Sequence, residues 1–197
     1  LLLSWRHIRT MNDAELIKQI LNGNMSAFSY LVSIHQKLVL HIVRRMVLSD
    51  DEAADICQDV FVKVYQKLGE FRGQSKLSTW IASVAYHHAI NHLRKRKRLQ
   101  EVSMDDSPTL EREVGAKIDD DCSFTLDEDA RQLLLRKVEE LPQHYRVVLT
   151  LFYLEEFSYR DIEEVTGMPE GTVKSYLARA RNMLREKLTF AKEEIWG

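Results

Sequence analysis

Apolar residues recur at intervals of three and four along almost every segment of this chain, and few residues interrupt the pattern. This spacing gives each segment one apolar face, as expected for helices that pack on a core. The 197 residues include 3 Pro and 7 Gly, the two residue types that most disfavour helix interiors. The sequence therefore predicts an all-α fold with two small helical domains joined by an acidic flexible linker.

The charge is unevenly distributed, although the formal net charge is only −2. Residues 1–98 contain 15 Lys and Arg against 8 Asp and Glu, residues 99–130 contain 2 against 11, and residues 131–197 contain 11 against 11. The acidic segment has little periodicity, so we interpret 99–127 as the linker. Its charge either keeps the chain soluble or lets the linker lie in a basic channel of a partner.

Several classes of protein are disfavoured by the sequence. No apolar run approaches the ~20 residues needed to cross a bilayer, so we expect a cytoplasmic protein with no direct membrane insertion. Cys57 and Cys122 form neither a disulfide framework nor a metal-binding spacing. We interpret residues 1–11 as an N-terminal extension.

Two stripes are expected on the third of four helices predicted in residues 12–98, which begins at Ser49 or Asp50. The apolar stripe should enter the core, like Leu31, Ile34, Leu38 and Ile42 on the second helix, and it consists of Ala53, Ile56, Val60, Phe61, Val64 and Leu68. The other stripe, at i, i+3, i+4, i+7 spacing, consists of Asp55, Gln58, Asp59 and Val62. From spacing alone it is either a solvated face or a binding surface.

Five consecutive cations, residues 94–98, end the fourth predicted helix. Such a run repels itself unless an anion lies nearby, and nucleic acid is the usual anion. Aromatic and amide groups on the same helix suit unstacked bases, so the candidate contacts are Trp80, His87, Asn91, Arg94, Lys95 and Arg96. Trp80 and Tyr86 are equally suited to a core. The preceding loop, with Phe71 and Arg72, has the composition of a small pocket for a flipped base.

The C-terminal block contains a helix-turn-helix pattern. "SYRDIEEV" begins at the cap residue Ser158, Thr166 and Gly167 form a turn, and "PEGTVKSYLARARNML" forms a second helix. Ile162, Val165, Val173, Leu177, Ala180 and Leu184 are expected to be buried. The outward face presents Thr172, Lys174, Ser175, Ala178, Arg179 and Arg181, which suits either DNA or, as the simpler alternative, water. In the DNA interpretation Lys174, Ser175 and Arg179 contact bases, and Thr172 and Arg181 contact phosphates.

The two blocks, in this order, resemble extracytoplasmic-function (ECF) sigma factors of bacterial RNA polymerase. "DEAADICQDVFVKVYQKLGEFRG" with "STWIASVAYHHAINHLRKRKR" is similar to region 2, and "LRKVEELPQHYRVVLTLFYLEEFSYRDIEEVTGMPEGTVKSYLARARNMLREKL" is similar to region 4. The resemblance implies a non-enzymatic protein, with region 2 in residues 12–98 and region 4 in 128–197. It implies binding to core RNA polymerase, recognition of −35 and −10 promoter elements and DNA opening, with no cofactor or metal.

The resemblance also implies roles for the candidate residues. Asp55, Gln58, Asp59 and Val62 would contact the polymerase clamp helices. Phe71 and its loop would hold an extruded −10 base, and His87 and Asn91 lie where the family often has base-contacting asparagines. Lys174, Ser175 and Arg179, with Ala178 beside them, would face the −35 element. The linker would occupy the segment that leads toward the polymerase active site, and an anti-sigma factor would be a further partner.

Two other classes of function remain as alternatives. A helix-turn-helix transcriptional regulator that is not a sigma factor would account for residues 158–180, but not for the stripe on the third helix or the cationic run. A histidine-dependent enzyme built on His87, His88 and His92 would need a nucleophile–base pair or phosphate loop, and the sequence offers neither.

Overall fold

The computed structural model describes residues 12–47, 49–103 and 128–196, and within these the side chains of 12–47, 49–98 and 132–189. The N-terminal extension and most of the predicted linker lie outside these ranges. The described residues are helical or in turns and loops, and they belong to two compact units. The helices are α1 (Asp13–Leu21), α2 (Met25–Arg44), α3 (Asp50–Lys67), α4 (Leu77–Ser103), α5 (Glu128–Glu139), α6 (Gln143–Leu149), α7 (Tyr159–Thr166) and α8 (Glu170–Trp196).

Side-chain caps begin the first three helices of the N-terminal unit. Asn12 accepts a hydrogen bond from the Glu15 amide at 2.9 Å at the start of α1. Asn24 accepts hydrogen bonds from two amides of the first turn of α2, at 3.1 and 3.2 Å. Ser49 caps α3 as expected, and three acidic residues follow in the first turn, where the helix dipole favours negative charge.

The core of the N-terminal unit forms where α2, α3 and α4 pack on one another, with α1 against α2. All six apolar residues predicted to enter this core from the third helix are buried, five on α3 and Leu68 in the 3-10 turn Leu68–Glu70 that follows it. One core prediction on α2 is wrong, because Ile34 is 47% exposed. The four predicted residues of α2 form a stripe that is wider than the surface its neighbouring helices cover. Ile34 lies at the edge of this stripe and is left partly exposed.

The C-terminal unit is built around α5, α6 and α8. Pro142 stands at the start of α6, and a short π-helical turn, Thr150–Leu154, follows this helix. The chain then turns through Glu156, which has a positive φ of 54°. Among the helices of the described ranges, none combines the length and apolarity that a bilayer crossing needs.

Candidate nucleic-acid interfaces

The stripe on α3 is open to solvent along its whole length. Asp55, Gln58, Asp59 and Val62 are all exposed, and Val62 is exposed by 54% despite being apolar. The Asp59 carboxylate lies 3.7 Å from Nε2 of His88 on α4. The opposite side of α3 is buried in the core, so the stripe is a rigid, accessible surface with acidic, amide and apolar groups in a row.

The structure brings Phe71 and Trp80 together. Their ring centroids are 5.6 Å apart, one on the loop before α4 and the other in its first turn, and both side chains are half-buried. Arg72 is exposed beside them, and Gly73 turns the loop with a φ of 67°. Tyr86, by contrast, is only 7% exposed, so the core interpretation holds for Tyr86.

One face of α4 presents polar groups to solvent. His87, Asn91, Arg94 and Lys95 are exposed. The His87 Nδ1 atom lies 2.8 Å from the carbonyl oxygen of Ser83, and because a carbonyl only accepts, Nδ1 carries the proton. In the neutral ring this leaves Nε2 as an outward acceptor, which suits the exocyclic amine of a base.

Arg96 is paired with a carboxylate of α3. Its Nη1 group donates to both carboxylate oxygens of Glu52 at 3.0 Å, and Nε2 of His92 lies 3.0 Å from the same carboxylate. The Glu52 side chain, in the first turn of α3, is only 20% exposed. This cross-helix contact reduces the charge that the basic end of α4 offers to a phosphate.

The helix-turn-helix forms as the sequence indicates. The Ser158 hydroxyl caps α7 by accepting from the Asp161 amide at 3.1 Å, while the Asp161 carboxylate accepts from the Ser158 amide at 3.0 Å, the reciprocal arrangement of a capping box. Gly167 makes the turn with a φ of 72°. Five of the six residues expected to be buried here are buried, namely Ile162, Val165, Val173, Leu177 and Ala180. The sixth, Leu184, is only half-buried.

The outward face of α8 carries most of the candidate base and phosphate contacts in the open. Lys174, Ala178, Arg179 and Arg181 are exposed, and Thr172 is half-buried. Ser175 is half-buried, and its hydroxyl donates to the Thr172 carbonyl at 2.9 Å. A base contact by Ser175 would therefore exchange an existing hydrogen bond, or use the lone pairs of the hydroxyl.

Two carboxylates beside these surfaces were absent from the predicted site. Glu170 forms an ion pair with Lys174 at 2.6 Å, and its i, i+4 spacing was a signal available in the sequence. Glu52 contacts residues 40 and 44 positions away. That contact depends on how α3 packs against α4, and no local pattern indicates it.

Both units match known families of protein segments. Residues 31–99 match the model of sigma-70 region 2, and residues 131–184 match that of sigma-70 region 4. The chain is 34% identical over 182 residues to the ECF RNA polymerase sigma-E factor of Escherichia coli, which covers 90% of this chain and 95% of the relative. It is 33% identical over 180 residues to the RNA polymerase sigma-H factor of Pseudomonas aeruginosa, covering 89% and 93%.

Two solved structures are also similar. The sigma factor RpoE, solved with the anti-sigma factor NepR from Bartonella quintana, matches with a TM-score of 0.69 and 25% identity, covering 82% of this chain and 96% of that one. CnrH, solved with the cytosolic domain of CnrY, shares the fold with a TM-score of 0.62 and 21% identity, covering 90% and 97%.

These findings first define the chain as a sigma-70-type protein with regions 2 and 4. More narrowly, it belongs to the ECF family of RNA polymerase sigma factors. It is an alternative sigma factor for transcription initiation, and the interpretation as a helix-turn-helix regulator of another kind is not favoured.

Proposed function

We propose that this sigma factor binds core RNA polymerase through α3 and recognises the two elements of a promoter with separate units. The presence of both sigma regions in one chain carries this proposal. Residues 12–98 are assigned to polymerase and −10 binding, 99–127 to the linker, 128–197 to −35 binding, and 1–11 to an N-terminal extension. Since core polymerase is the partner, the proposed location is the cytoplasm, and the protein has no enzymatic activity of its own.

The stripe Asp55, Gln58, Asp59 and Val62 is the proposed polymerase contact. Supporting this, the stripe is exposed while the opposite, apolar face of α3 is buried in the core. A binding interface combines apolar surface with polar groups that can pair, and the stripe offers both, because the exposed Val62 follows the acidic and amide groups along the helix.

The −10 element is assigned to the loop before α4 and to the exposed face of α4. The Phe71–Trp80 pair offers aromatic surface to an unstacked base. His87 and Asn91 are exposed one turn apart and can hydrogen-bond base edges. Arg72, Arg94 and Lys95 supply cations for the backbone, whereas Arg96 is the weakest candidate because Glu52 already holds it.

The −35 element is assigned to α8, which would lie in the major groove with its N-terminal part toward the bases. Lys174 and Arg179 are exposed donors for guanine, Ser175 is suited to several bases, and Ala178 is an apolar neighbour for a thymine methyl. Thr172 and Arg181 are assigned to phosphates, which fix the register of the helix on the duplex.

An anti-sigma factor is the further proposed partner. The related sigma factor RpoE was solved with the anti-sigma factor NepR, which supports a partner of this class for the present chain. Co-purification of the tagged chain from its own host, followed by mass spectrometry, tests this directly. Recovery of core polymerase with no inhibitor under any growth condition would count against it.

Transcription with purified components tests the proposed function. The full chain added to core polymerase should start transcripts at specific positions on DNA of its host, and mapping those starts would give the promoter. A helix-turn-helix regulator would be inert in this assay unless another sigma factor were supplied. Failure to associate with core polymerase would refute the proposal, however well the C-terminal unit binds DNA.

Arg179→Ala tests the assignment of α8 to the −35 element. Sequence preference should fall at one −35 position, by about 1–3 kcal/mol. Equal weakening on every DNA sequence would instead place Arg179 on a phosphate.

A further inference from the structure

The ammonium group of Lys174 is held from two sides. Its Nζ atom lies 2.6 Å from Oε1 of Glu170, the first residue of α8, and 5.2 Å from the centre of the Tyr159 ring. Phe152 stacks on the Tyr159 ring, with ring centroids 5.2 Å apart and planes within 9°. The hydrogen bond and the charge of Glu170 raise the pKa of Lys174, so the lysine remains an ammonium.

The helix dipole favours a carboxylate in the first turn of α8, but it does not require that carboxylate to hold Lys174. Both side chains are about half exposed, and an exposed i, i+4 ion pair contributes little to a fold. A carboxylate beside the phosphates of DNA also weakens association through repulsion. That cost is offset when the carboxylate meets a hydrogen-bond donor. In the major groove the donors are the exocyclic amines of cytosine and adenine.

The Glu170–Lys174 pair matches the groove edge of a C·G base pair. Cytosine N4 donates to guanine O6 within the pair, so a donor and an acceptor stand side by side about 2.9 Å apart. Glu170 and Lys174 offer an acceptor and a donor 2.6 Å apart. An A·T pair offers adenine N6 and thymine O4 in the same way. Guanine, however, adds N7 as a second acceptor for the ammonium, where thymine presents a methyl group.

We propose that Glu170 is a specificity-determining residue that, together with Lys174, recognises one C·G base pair of the −35 element. The carboxylate accepts from cytosine N4, and the ammonium donates to guanine O6 and N7. Tyr159 is a positioning residue, because its ring holds the ammonium beside the carboxylate. The inference rests on the proposed function, since it requires α8 to lie in the major groove of that element.

The test uses holoenzyme assembled from the full chain and core polymerase, with a promoter library randomised over the −35 element. The wild type should enrich cytosine at one position on one strand. Glu170→Gln should move the preference there from cytosine to adenine, by about tenfold, because glutamine pairs with adenine N6 and N7. Glu170→Ala should abolish discrimination at this position. The control is Glu163→Gln, which removes the same charge from an exposed site on α7 and should leave every base preference unchanged.

Two results would overturn the inference. One is a uniform rise in binding of Glu170→Gln holoenzyme to all sequences, which would mean that the carboxylate only repels phosphates. The other is an unchanged cytosine preference, which would assign that base to another side chain. Arg179→Ala separates these from failure of the proposed function. If it still alters a −35 preference, α8 does recognise the element and only the role of Glu170 is refuted.

Discussion

The pairing of Arg96 with Glu52 predicts that two nearby arginines behave differently toward promoter DNA. Arg94 is exposed and available to a phosphate, whereas Arg96 donates to both Glu52 oxygens at 3.0 Å. Each phosphate contact to a single strand contributes about 0.7 to the slope of log affinity against log salt. Arg94→Ala should therefore reduce that slope by about 0.7, while Arg96→Ala leaves it nearly unchanged.

Glu52→Gln should have the opposite effect, because the neutral amide oxygen holds Arg96 less strongly than the carboxylate does and competes poorly with a phosphate. The slope should steepen by about 0.7, so that raising salt fourfold costs the variant roughly 2.5 times more affinity than it costs the wild type. The same change should lower the free energy of unfolding by about 1 kcal/mol, since Arg96 and His92 both lose a partially screened partner.

The assay is titration of holoenzyme onto a labelled single strand that carries the non-template −10 sequence, over a series of KCl concentrations. Asp51→Asn is the matched control, because Asp51 is exposed in the same helical turn and its loss removes equal charge without releasing Arg96. Equal slope losses for Arg94→Ala and Arg96→Ala would refute the reasoning, since they would show that DNA displaces Glu52. A steeper slope for Asp51→Asn would attribute the Glu52 effect to charge in general.

Three further predictions concern polymerase binding and stability. Asp55→Ala combined with Asp59→Ala should weaken binding to core polymerase in a pull-down while circular dichroism remains unchanged. Unchanged binding would show that the stripe is only a solvated face. Burial, slightly opposed by the charge of Asp13, lowers the pKa of His35 below its usual value, so the unfolded chain binds the proton more tightly. The His35 contribution should be complete above about pH 6.5 and be lost as the pH falls below that value. His35→Leu should flatten this dependence in denaturant titrations, and equal curves would contradict it. Glu156→Gly should raise the thermal midpoint, with a gain of about 0.5–1 kcal/mol in the free energy of unfolding. Glycine removes the steric cost of the positive φ, and this gain is partly offset because glycine increases the conformational entropy of the unfolded chain. A lower midpoint would show that the Glu156 side chain stabilises the turn.

Local patterns were sufficient to predict the helices and the caps at Ser49 and Ser158. Ser49 and Ser158 are at helix starts because a hydroxyl before a run of helix formers satisfies a free amide, and this depends on neighbours three positions away. The buried face of α3 was equally predictable, since its apolar residues all lie on one side of the helix. The helix-turn-helix was predictable for the same reason, since Gly167 supplies the positive φ that its turn requires.

Contacts between helices were not predictable from the same patterns. The exposure of Ile34 depends on where α2 leaves the core, and the Glu52–Arg96 contact depends on the alignment of α3 with α4. Neither the exposure of Ile34 nor the alignment of α3 with α4 can be inferred from residues within one turn of a helix. As a result, Arg94, Lys95 and Arg96 were predicted as equal candidates, although helix packing gives Arg96 a carboxylate partner.

The two proposed DNA surfaces have a common feature, because each includes a cation paired with a carboxylate of its own unit. Glu52 holds Arg96, and Glu170 holds Lys174. Cations attract phosphates whatever the sequence, so unpaired ones raise affinity for all DNA alike. A paired cation contributes only where the DNA also compensates the carboxylate, and specificity depends on such differences between sites. For Lys174, a cytosine amine beside guanine provides that compensation, whereas for Arg96 a phosphate does not. The same chemical arrangement therefore favours sequence recognition at α8 and limits non-specific attraction at α4.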